Sequence, residues 1–423
     1  MIKIIDVSNV SRDEIFARAE GISDVSATVS DIIADVRARG DMSLYEYAEK
    51  FDRAKLDSLE VSAEEIAEAK KEVSPELIDV MERAAENIRE FHSHQVRNSF
   101  ILNEKKGVVT GQKVIPLESV GLYVPGGTAA YPSSVLMNCI PAKIAGVERI
   151  VITTPATGGK INPVILAAAS VAGADKIYKM GGAQAVAALA YGTETVARVD
   201  KIVGPGNAYV AEAKRQVFGK VAIDMIAGPS EILIVADGNS SAKNVAADLL
   251  SQAEHDKLAS AVLVTESEAL AEAVSKELER QIPLLERADI ARASIDNNGK
   301  IIICPTIEEA IEISNDIAPE HLELCINDPF DYIDSVKNAG SVFMGRYCPE
   351  SLGDYFAGPN HTLPTSGTAR FSSPLSVDDF VKKMQYTYYS KDAFSSVYKD
   401  VAKFATSEGL TAHAKSALVR FED

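Results

Sequence analysis

Three histidines of this chain lie beside carboxylate and amide side chains, in combinations that suit metal binding or proton transfer. The chain has only six histidines. Histidine titrates near neutral pH and is the commonest metal ligand among side chains. The three segments are Gln252-Ala-Glu-His255, Pro319-Glu320-His321 and Glu408-Gly-Leu-Thr-Ala-His413. Their wide separation in the sequence predicts a site whose parts are brought together by folding.

The first segment favours a metal site. Gln252 and His255 lie three residues apart in a stretch with a helical pattern, so their side chains share one face. Together with Asp354 and His413 they would form a set of nitrogen and oxygen ligands, which suits zinc or another divalent transition metal better than calcium. Glutamine is an uncommon zinc ligand, and no spacing rule connects the four positions. A surface histidine beside a hydrogen-bonded glutamine is therefore an open alternative.

The second segment favours acid–base chemistry. Glu320 and His321 follow Pro319 at the predicted start of a strand. Adjacent side chains of a regular strand point to opposite faces, so both can serve one site only where the strand begins irregularly. His321 is then a candidate general base, and Glu320 could orient it or activate water. An ion pair at the strand edge fits the residues equally well.

Three glycine-rich turns each follow a strand-like run: Pro125-Gly-Gly-Thr128, Met180-Gly-Gly-Ala-Gln184 and Gly204-Pro-Gly-Asn207. Glycine turns at helix N-termini can hold phosphate or carboxylate groups. None of the three matches GxGxxG or a P-loop, so no nucleotide is specified. From the residues alone, the expectation is tight turns between strands and helices.

The elements that must position these residues alternate between short apolar runs and helical stretches from about Val114 onwards. This alternation predicts βαβ units and parallel sheets. A change in the sequence pattern at Gly228-Pro229-Ser230 divides the series into two α/β units. The first ~115 residues and the part after Pro374 have helical patterns instead. Within the former, Ser62 with Glu65 predicts a capping box, and Ser74-Pro75 predicts a second helix start.

Composition narrows the class of protein. The 423 residues are 46% hydrophobic and 25% charged, and the net charge of −18 argues against nucleic acid as a partner. The four cysteines form no CxxC pair, which excludes a zinc ribbon and favours free thiols in a reducing cytoplasm. No apolar run reaches the ~18 residues of a membrane span, and the N-terminus lacks the apolar core of a signal peptide. We expect a cytoplasmic protein without a membrane partner.

Longer motifs add a resemblance to the histidinol dehydrogenase family over nearly the whole chain. The motifs are Val120-Gly-Leu-Tyr123-Val-Pro-Gly-Gly, Gly181-Gly-Ala-Gln184-Ala, Val203-Gly-Pro-Gly-Asn207-Ala-Tyr, Ala227-Gly-Pro-Ser230-Glu, Asp248-Leu-Leu-Ser-Gln252-Ala-Glu-His255, Ala318-Pro-Glu320-His321-Leu, Gly353-Asp354-Tyr, Gly358-Pro-Asn-His-Thr-Leu-Pro-Thr and Glu408-Gly-Leu-Thr-Ala-His413.

The resemblance implies oxidation of L-histidinol to L-histidine through an enzyme-held histidinal, with two NAD⁺. It assigns Glu320 and His321 as the catalytic pair, and Zn²⁺ to Gln252, His255, Asp354 and His413. The substrate would contact those ligands together with Ser230, His321 and Glu408, and NAD would contact Tyr123, Gln184 and Asn207. It also implies a homodimer in which Glu408 and His413 complete the partner's site. A zinc hydrolase using Glu320 as base, and a non-catalytic binding protein, are the alternatives.

The expected fold is α/β, with two incomplete Rossmann-like parallel-sheet domains that lack GxGxxG, and small helical terminal segments. The expected boundaries are an N-terminal helical segment 1–20, a first domain of 21–117 with 231–373, a second domain of 118–230, and a C-terminal helical segment 374–423 that contributes to the dimer and the active site.

Overall fold

Two parallel β-sheets form the centre of the larger of two structural units. The structure is a computed structural model and describes residues 2–9, 15, 24–126 and 130–422. The first unit comprises Met1–Gln95 and Leu117–Phe380, and the second comprises Val96–Pro116 and Val381–Asp423. Among the described residues, none of the helices has the length and apolar character needed to cross a membrane.

The strands, in chain order, are β1 (Lys3–Asp6), β2 (Phe100–Leu102), β3 (Val108–Pro116), β4 (Ser119–Tyr123), β5 (Arg149–Thr154), β6 (Lys176–Lys179), β7 (Lys201–Val203), β8 (Ala222–Ile223), β9 (Glu231–Ala236), β10 (Ser260–Thr265), β11 (Lys300–Ile303), β12 (His321–Cys325), β13 (Ser341–Met344) and β14 (Val381–Tyr389).

The α-helices are α1 (Ser26–Arg39), α2 (Asp41–Asp52), α3 (Ala63–Glu72), α4 (Pro75–Ser93), α5 (Pro132–Ala145), α6 (Pro163–Ala172), α7 (Gly182–Tyr191), α8 (Ala208–Val217), α9 (Ala242–Ala253), α10 (Glu268–Gln281), α11 (Ala288–Asn298), α12 (Ile307–Ile317), α13 (Glu350–Tyr355), α14 (Lys391–Ser395), α15 (Tyr398–Ser407) and α16 (Thr411–Leu418).

The five-stranded sheet has the order β6-β5-β4-β7-β8, with every pair parallel. Its strands read as continuous apolar runs because helices cover both faces. Along β4, Val120 and Leu122 enter one core cluster and Tyr123 enters another, as alternate side chains of a strand must. The chain winds away from β4 in both directions, so the carboxyl ends of β4 and β7 flank a topological switch point. A ligand crevice is expected there.

The six-stranded sheet has the order β1-β11-β10-β9-β12-β13 and is also parallel throughout. Along β9, Ile232 and Ile234 pack into one core cluster, while Leu233 and Val235 pack into another on the opposite face. The chain winds outward from β9 to β10 and β11, then returns to β12 on its other side. The neighbouring strands β9 and β12 therefore mark the switch point of this sheet.

The helix starts follow the predicted capping chemistry. The Ser62 hydroxyl accepts from the Glu65 N–H, and the Glu65 carboxylate accepts from the Ser62 N–H, so the capping box of α3 is confirmed. Ser74 caps α4, with Pro75 at its first position. Each such cap stabilises a helix by about 1 kcal/mol.

Helices α1–α4 differ from the predicted grouping. Residues of α1 and α2, such as Val29 and Leu44, share a core with α7 and β7, and residues of α3 and α4, such as Met81, share one with β4 and α5. These helices thus pack on the five-stranded sheet, whereas the expected boundaries joined 21–117 to 231–373. An amphipathic pattern shows that a helix has a buried face, but not which sheet covers it.

The second unit contains the antiparallel sheet β14-β3-β2 together with α14–α16. β14 pairs with β3 along nine residues, from Val381 opposite Pro116 to Tyr389 opposite Val108. These strands, and β1 in the segment 1–20, were not predicted: β3 pairs with β14 and β1 with β11, which are far away in the sequence, and β2 has only three residues. Most of 1–20 lies outside the described residues, so the helix expected there is not tested.

Candidate active site

One residue of β9 holds the predicted catalytic pair. The Glu231 N–H donates to Glu320 Oε2 at 2.9 Å, and His321 Nδ1 lies 2.9 Å from the Glu231 carbonyl oxygen. Ala318, with φ of +53°, turns the chain just before β12, so Glu320 stands outside the regular strand that His321 begins. Both adjacent side chains can therefore reach the backbone of Glu231.

The contact with Glu231 also determines the tautomer of His321. A carbonyl oxygen only accepts hydrogen bonds, so Nδ1 must carry a proton and donate it. In the neutral ring Nε2 is then the acceptor. Nε2 is buried and has no hydrogen-bond partner among the described residues. A buried imidazole nitrogen with a free lone pair is the group that a general base requires.

Carboxylates surround this imidazole. Asp354 Oδ1 lies 3.6 Å from Nε2, Glu350 Oε1 lies 4.0 Å from Nε2, and Glu320 Oε2 lies 3.6 Å from Nδ1. Burial by itself lowers the pKa of His321, but the negative charge of Glu320 and the contacts with Asp354 and Glu350 outweigh burial and raise it to about 10. The surroundings of His321 are thus strongly negative and favour its protonated form at neutral pH, whereas a cation bound beside the ring would favour the neutral, basic form.

The same surroundings shift the pKa values of the neighbouring carboxyl groups in different directions. Burial raises the pKa of Glu320 to about 7, although the charge of His321 opposes the rise. Burial, and then the charge of Asp354, raises the pKa of Glu350 to about 8. Burial would also raise the pKa of Asp354, but its contacts with His321 and the charge of His361 outweigh burial and lower it. Groups that exchange protons near neutral pH and a carboxylate that stays ionised therefore share one site.

Three of the four predicted metal ligands lie in the first unit. Gln252 is in the last turn of α9, His255 follows three residues later, and Asp354 lies on α13. Burial lowers the pKa of His255, whereas the charge of Asp354 raises it, which reflects their proximity. Glu408 and His413 lie in the second unit and are exposed; Glu408 directly follows α15, and His413 is in the first turn of α16. The first unit alone thus lacks the fourth predicted ligand.

The donors present fit a divalent metal ion. Both side-chain polar atoms of Gln252 are buried and have no hydrogen-bond partner among the described residues. Such an unsatisfied amide costs about 1–3 kcal/mol, which a ligand contact would offset. Donor atoms of His321, Glu350 and Asp354 also lie within 4.8 Å of one another and could hold a metal. That group overlaps the predicted ligand set only at Asp354, but its excess negative charge equally favours a cation.

Ser230, the predicted substrate contact, directly precedes β9 and is half-buried. Its carbonyl oxygen accepts from the Ser260 N–H at 3.0 Å, which holds the start of β9 to β10. Ser230 therefore adjoins Glu231, the residue that orients Glu320 and His321. The whole group lies at the amino end of the six-stranded sheet, although ligands of open α/β sheets usually lie at carboxyl ends.

The predicted dinucleotide contacts lie at the carboxyl ends of the five-stranded sheet. Tyr123 ends β4, and its buried hydroxyl accepts from the Gly182 N–H at 3.0 Å. Burial raises the pKa of Tyr123 to about 12, so this hydroxyl stays neutral. Gln184 is buried in the first turn of α7, and Asn207 caps α8 by accepting from the backbone N–H groups of its first turn. Part of the glycine turn Pro125–Thr128, namely Gly127 and Thr128, lies outside the described residues.

Two buried carboxyl groups of this region were missed in the sequence. Glu350 precedes Asp354 by four residues, so the two share a helix face, and it accepts from the Ser251 hydroxyl at 2.8 Å. Glu323 interrupts the apolar strand β12 two residues after His321, hence on the same face, and accepts from the Glu350 N–H at 2.7 Å. Both spacings are visible in the sequence and could have identified these residues.

His361 connects Asp354 to α5, a helix that packs on the five-stranded sheet. Its Nδ1 lies 3.0 Å from the Asp354 carbonyl oxygen and must donate to it, and its Nε2 lies 3.3 Å from the Ser134 hydroxyl on α5. The backbone of the predicted metal ligand is therefore fixed to a helix that packs on the five-stranded sheet.

Comparisons with known proteins identify the family to which the chain is similar. Residues 17–421 match the family model described as histidinol dehydrogenase. The chain is 56% identical to the histidinol dehydrogenase of Clostridium acetobutylicum over 95% of this chain and 93% of that protein. It is 51% identical to that of Geobacter sulfurreducens, with both chains fully covered. The crystal structure of histidinol dehydrogenase from Elizabethkingia anophelis superimposes with a TM-score of 0.94 at 40% identity, covering 100% of this chain and 98% of that chain.

Proposed function

The chain belongs to the histidinol dehydrogenase family, and we propose that it oxidises L-histidinol to L-histidine in two NAD⁺-dependent steps, with L-histidinal held on the enzyme between them. The observation that carries the proposal is the pairing of His321 and Glu320 on the backbone of Glu231. This arrangement provides two proton acceptors at one place, and each oxidation releases a proton.

The first step assigns a role to the free nitrogen of His321. As the alcohol carbon loses hydride, its hydroxyl must lose a proton, and in the neutral ring His321 Nε2 is a buried acceptor without a competing partner among the described residues. The Nδ1 contact with Glu231 keeps the ring oriented throughout. Such a positioned base accelerates a reaction by about 10²–10⁴-fold.

The second step requires water. Addition of water to the aldehyde gives a hydrate, which then loses hydride from carbon and a proton from oxygen to become the carboxylic acid. Glu320 is suited to take the proton from the attacking water, because burial raises its pKa to about 7. A thiol nucleophile is not part of the proposal: burial raises the pKa of Cys325, the cysteine on the same strand as His321, so its thiolate is disfavoured.

Zn²⁺ is the proposed metal, held by Gln252, His255 and Asp354, with His413 from a second copy of the chain. When bound, zinc would supply a Lewis acid for the imidazole and amine of the substrate, and NAD⁺ would supply the hydride acceptor. Ser230 lies beside Glu231 at the start of β9, where it can orient the substrate, and Glu408 would join it from the second copy. Gln252 contributes an amide that is already desolvated.

Residues 118–230 are the proposed dinucleotide-binding domain. The crevice between β4 and β7 and the N-termini of α7 and α8 offer backbone N–H groups to a pyrophosphate. The side-chain oxygen of Asn207 is engaged in capping α8, which leaves its amide nitrogen to reach a ligand. Tyr123 and Gln184 line the same end of the sheet.

A homodimer is part of the proposal. The second unit exposes apolar residues on its antiparallel sheet, including Phe100, Ile101 and Leu102 on β2 and Tyr388 on β14. Exposed apolar patches of this kind mark protein interfaces. Glu408 and His413 lie in the same unit and are available to a second copy. A reducing cytoplasmic location is also proposed, supported by four free cysteines.

The test is NADH formation by zinc-loaded protein on addition of L-histidinol. Absorbance of NADH that depends on both substrates is expected. Zinc-loaded protein that forms no NADH, yet hydrolyses an amide analogue of histidine without NAD⁺, would replace this proposal with the hydrolase alternative. Binding of histidinol without any turnover would favour a binding protein instead.

A further inference from the structure

We propose that the buried ion pair between Lys214 and Asp224 is a positioning device that fixes the Gly204–Asn207 turn in the shape that receives the dinucleotide. The proposal rests on the proposed function for the identity of the ligand. Its structural basis is independent of that function, because it concerns how one glycine turn is held.

The ion pair binds both the backbone N–H and the backbone carbonyl of a single glycine, Gly204. Asp224 Oδ2 accepts from the Gly204 N–H at 2.7 Å, and Lys214 Nζ donates to the Gly204 carbonyl oxygen at 3.0 Å. Lys214 Nζ also pairs with Asp224 Oδ1, and the two side chains are only 2% and 1% exposed. Neither group is therefore available to solvent, and their shared contact is the backbone of the turn.

Gly204 lies where the turn packs against the neighbouring strand, β4. Gly204 has φ of +110°, and a Cβ built there would lie 2.2 Å from the carbonyl oxygen of Tyr123. The same Tyr123 binds the Gly182 N–H through its hydroxyl. Fixing Gly204 thus sets the spacing between three predicted dinucleotide contacts: Tyr123, the start of α7 with Gln184, and Asn207.

Stability does not explain this pair well. Removing two charges from water is costly, and apolar side chains of similar size often stabilise a protein as much or more. Lys214 lies on α8 and Asp224 follows β8, so an apolar pair could join these elements without contacting the backbone of Gly204. What the charges add is directional hydrogen bonding to both sides of that residue, which is a positioning role.

The first experiment compares variants of two lysines: Lys214, which binds Gly204 just after β7, and Lys201, the first residue of β7. Lys214→Met removes the hydrogen bond to the Gly204 carbonyl oxygen at the carboxyl end of β7. Lys201→Met is the matched control, because Lys201 begins the strand and binds Asp379 Oδ1 at 2.8 Å, with 11% and 27% of the side chains exposed. We measure the NADH dissociation constant by fluorescence titration, the KM for NAD⁺, kcat, zinc content and Tm.

For Lys214→Met we expect the NADH dissociation constant and the KM for NAD⁺ to rise by about tenfold, with kcat and zinc content within about twofold of the unmutated protein. Lys201→Met lowers Tm but leaves NADH binding unchanged. Normal NADH binding by folded Lys214→Met overturns the proposal, as does equal weakening in Lys201→Met. If the unmutated protein binds NADH but does not oxidise histidinol, only the proposed function fails.

Two further experiments test the proposal even if Lys214→Met fails to fold: a double variant, and a measurement on the unmutated protein. The double variant Lys214→Met/Asp224→Leu leaves no unpaired buried charge and is expected to fold with the same weakened NADH binding. Hydrogen exchange of the Gly204 amide in the unmutated protein is expected to be slow with and without NADH. An amide that becomes protected only when NADH binds would show that the ligand, not the ion pair, orders the turn, and would overturn the proposal.

Discussion

His321 Nδ1 lies 2.9 Å from the carbonyl oxygen of Glu231 and donates its proton to it. The ring therefore presents its other nitrogen, Nε2, towards Asp354, and no side chain competes for that nitrogen within hydrogen-bond distance among the described residues. The N–H of Glu231 holds Glu320 at the same place. One residue at the start of β9 thus orients both groups that the proposed chemistry uses for proton transfer.

Replacing His321 by Asn tests its role as base. The asparagine amide keeps a donor near the position of Nδ1 and so retains the contact with Glu231, but nothing replaces Nε2. We expect kcat to fall by about 10³-fold while bound zinc stays unchanged. Steady-state kinetics and metal analysis of the same preparation give both values. Parallel loss of zinc and turnover would contradict the assignment.

Gln252→Leu separates metal binding from stability. In the metal-free protein the buried amide is unsatisfied, so leucine should raise the free energy of unfolding by about 1 kcal/mol. The same change, like His255→Asn, should weaken zinc binding. Gln281→Leu is the control, since Gln281 Nε2 donates to the Lys243 carbonyl oxygen at 3.0 Å. It should lower stability and leave zinc affinity unaltered. Unchanged zinc affinity in Gln252→Leu would remove Gln252 from the ligand set.

His92 makes stability depend on pH. Burial lowers its pKa from the ordinary 6.5, although the bond from Nδ1 to Gln95 opposes the shift. Below pH 6.5 His92 binds a proton in the unfolded chain but stays neutral in the folded protein. The contribution of neutral His92 to the free energy of unfolding is therefore complete above pH 6.5 and is lost as the pH falls. Urea unfolding of zinc-free protein should therefore show a smaller loss of stability from about pH 7 to about pH 5 in His92→Asn than in the unmutated chain. Equal losses would refute this.

Mixed dimers test whether His413 acts on a second copy. Variants carrying His321→Asn or His413→Asn should each be inactive alone. If His413 completes the partner's site, refolding the two together yields heterodimers with one intact site, and activity returns to roughly one quarter of the unmutated level. If both residues act within one chain, the mixture stays inactive.

The sequence predicted local features well. The caps at Ser62 and Ser74 follow from side-chain hydrogen bonding to the next turn, and the parallel sheets follow from apolar runs that alternate with helices. The helical stretch predicted to hold Gln252 is observed as α9, because a helical period is visible in neighbouring residues. These features depend on residues close together in the chain.

Features that depend on distant pairing were not predicted. β14 pairs with β3 and β1 pairs with β11, and in both pairs the partner strand is far away in the sequence. The sequence could not show that Glu231 orients His321, or that Asp354 faces the same imidazole. The resemblance to the family, not spacing, is what implied zinc, NAD and histidinol as ligands of residues so far apart in the sequence.

The central claim is a four-electron oxidation carried out at one site, and its most direct test is the ratio of NADH formed to histidinol consumed by zinc-loaded protein. The proposal predicts two NADH and one L-histidine for each L-histidinol, without free histidinal in solution. One NADH per histidinol with released aldehyde, or no NADH at all, would contradict it.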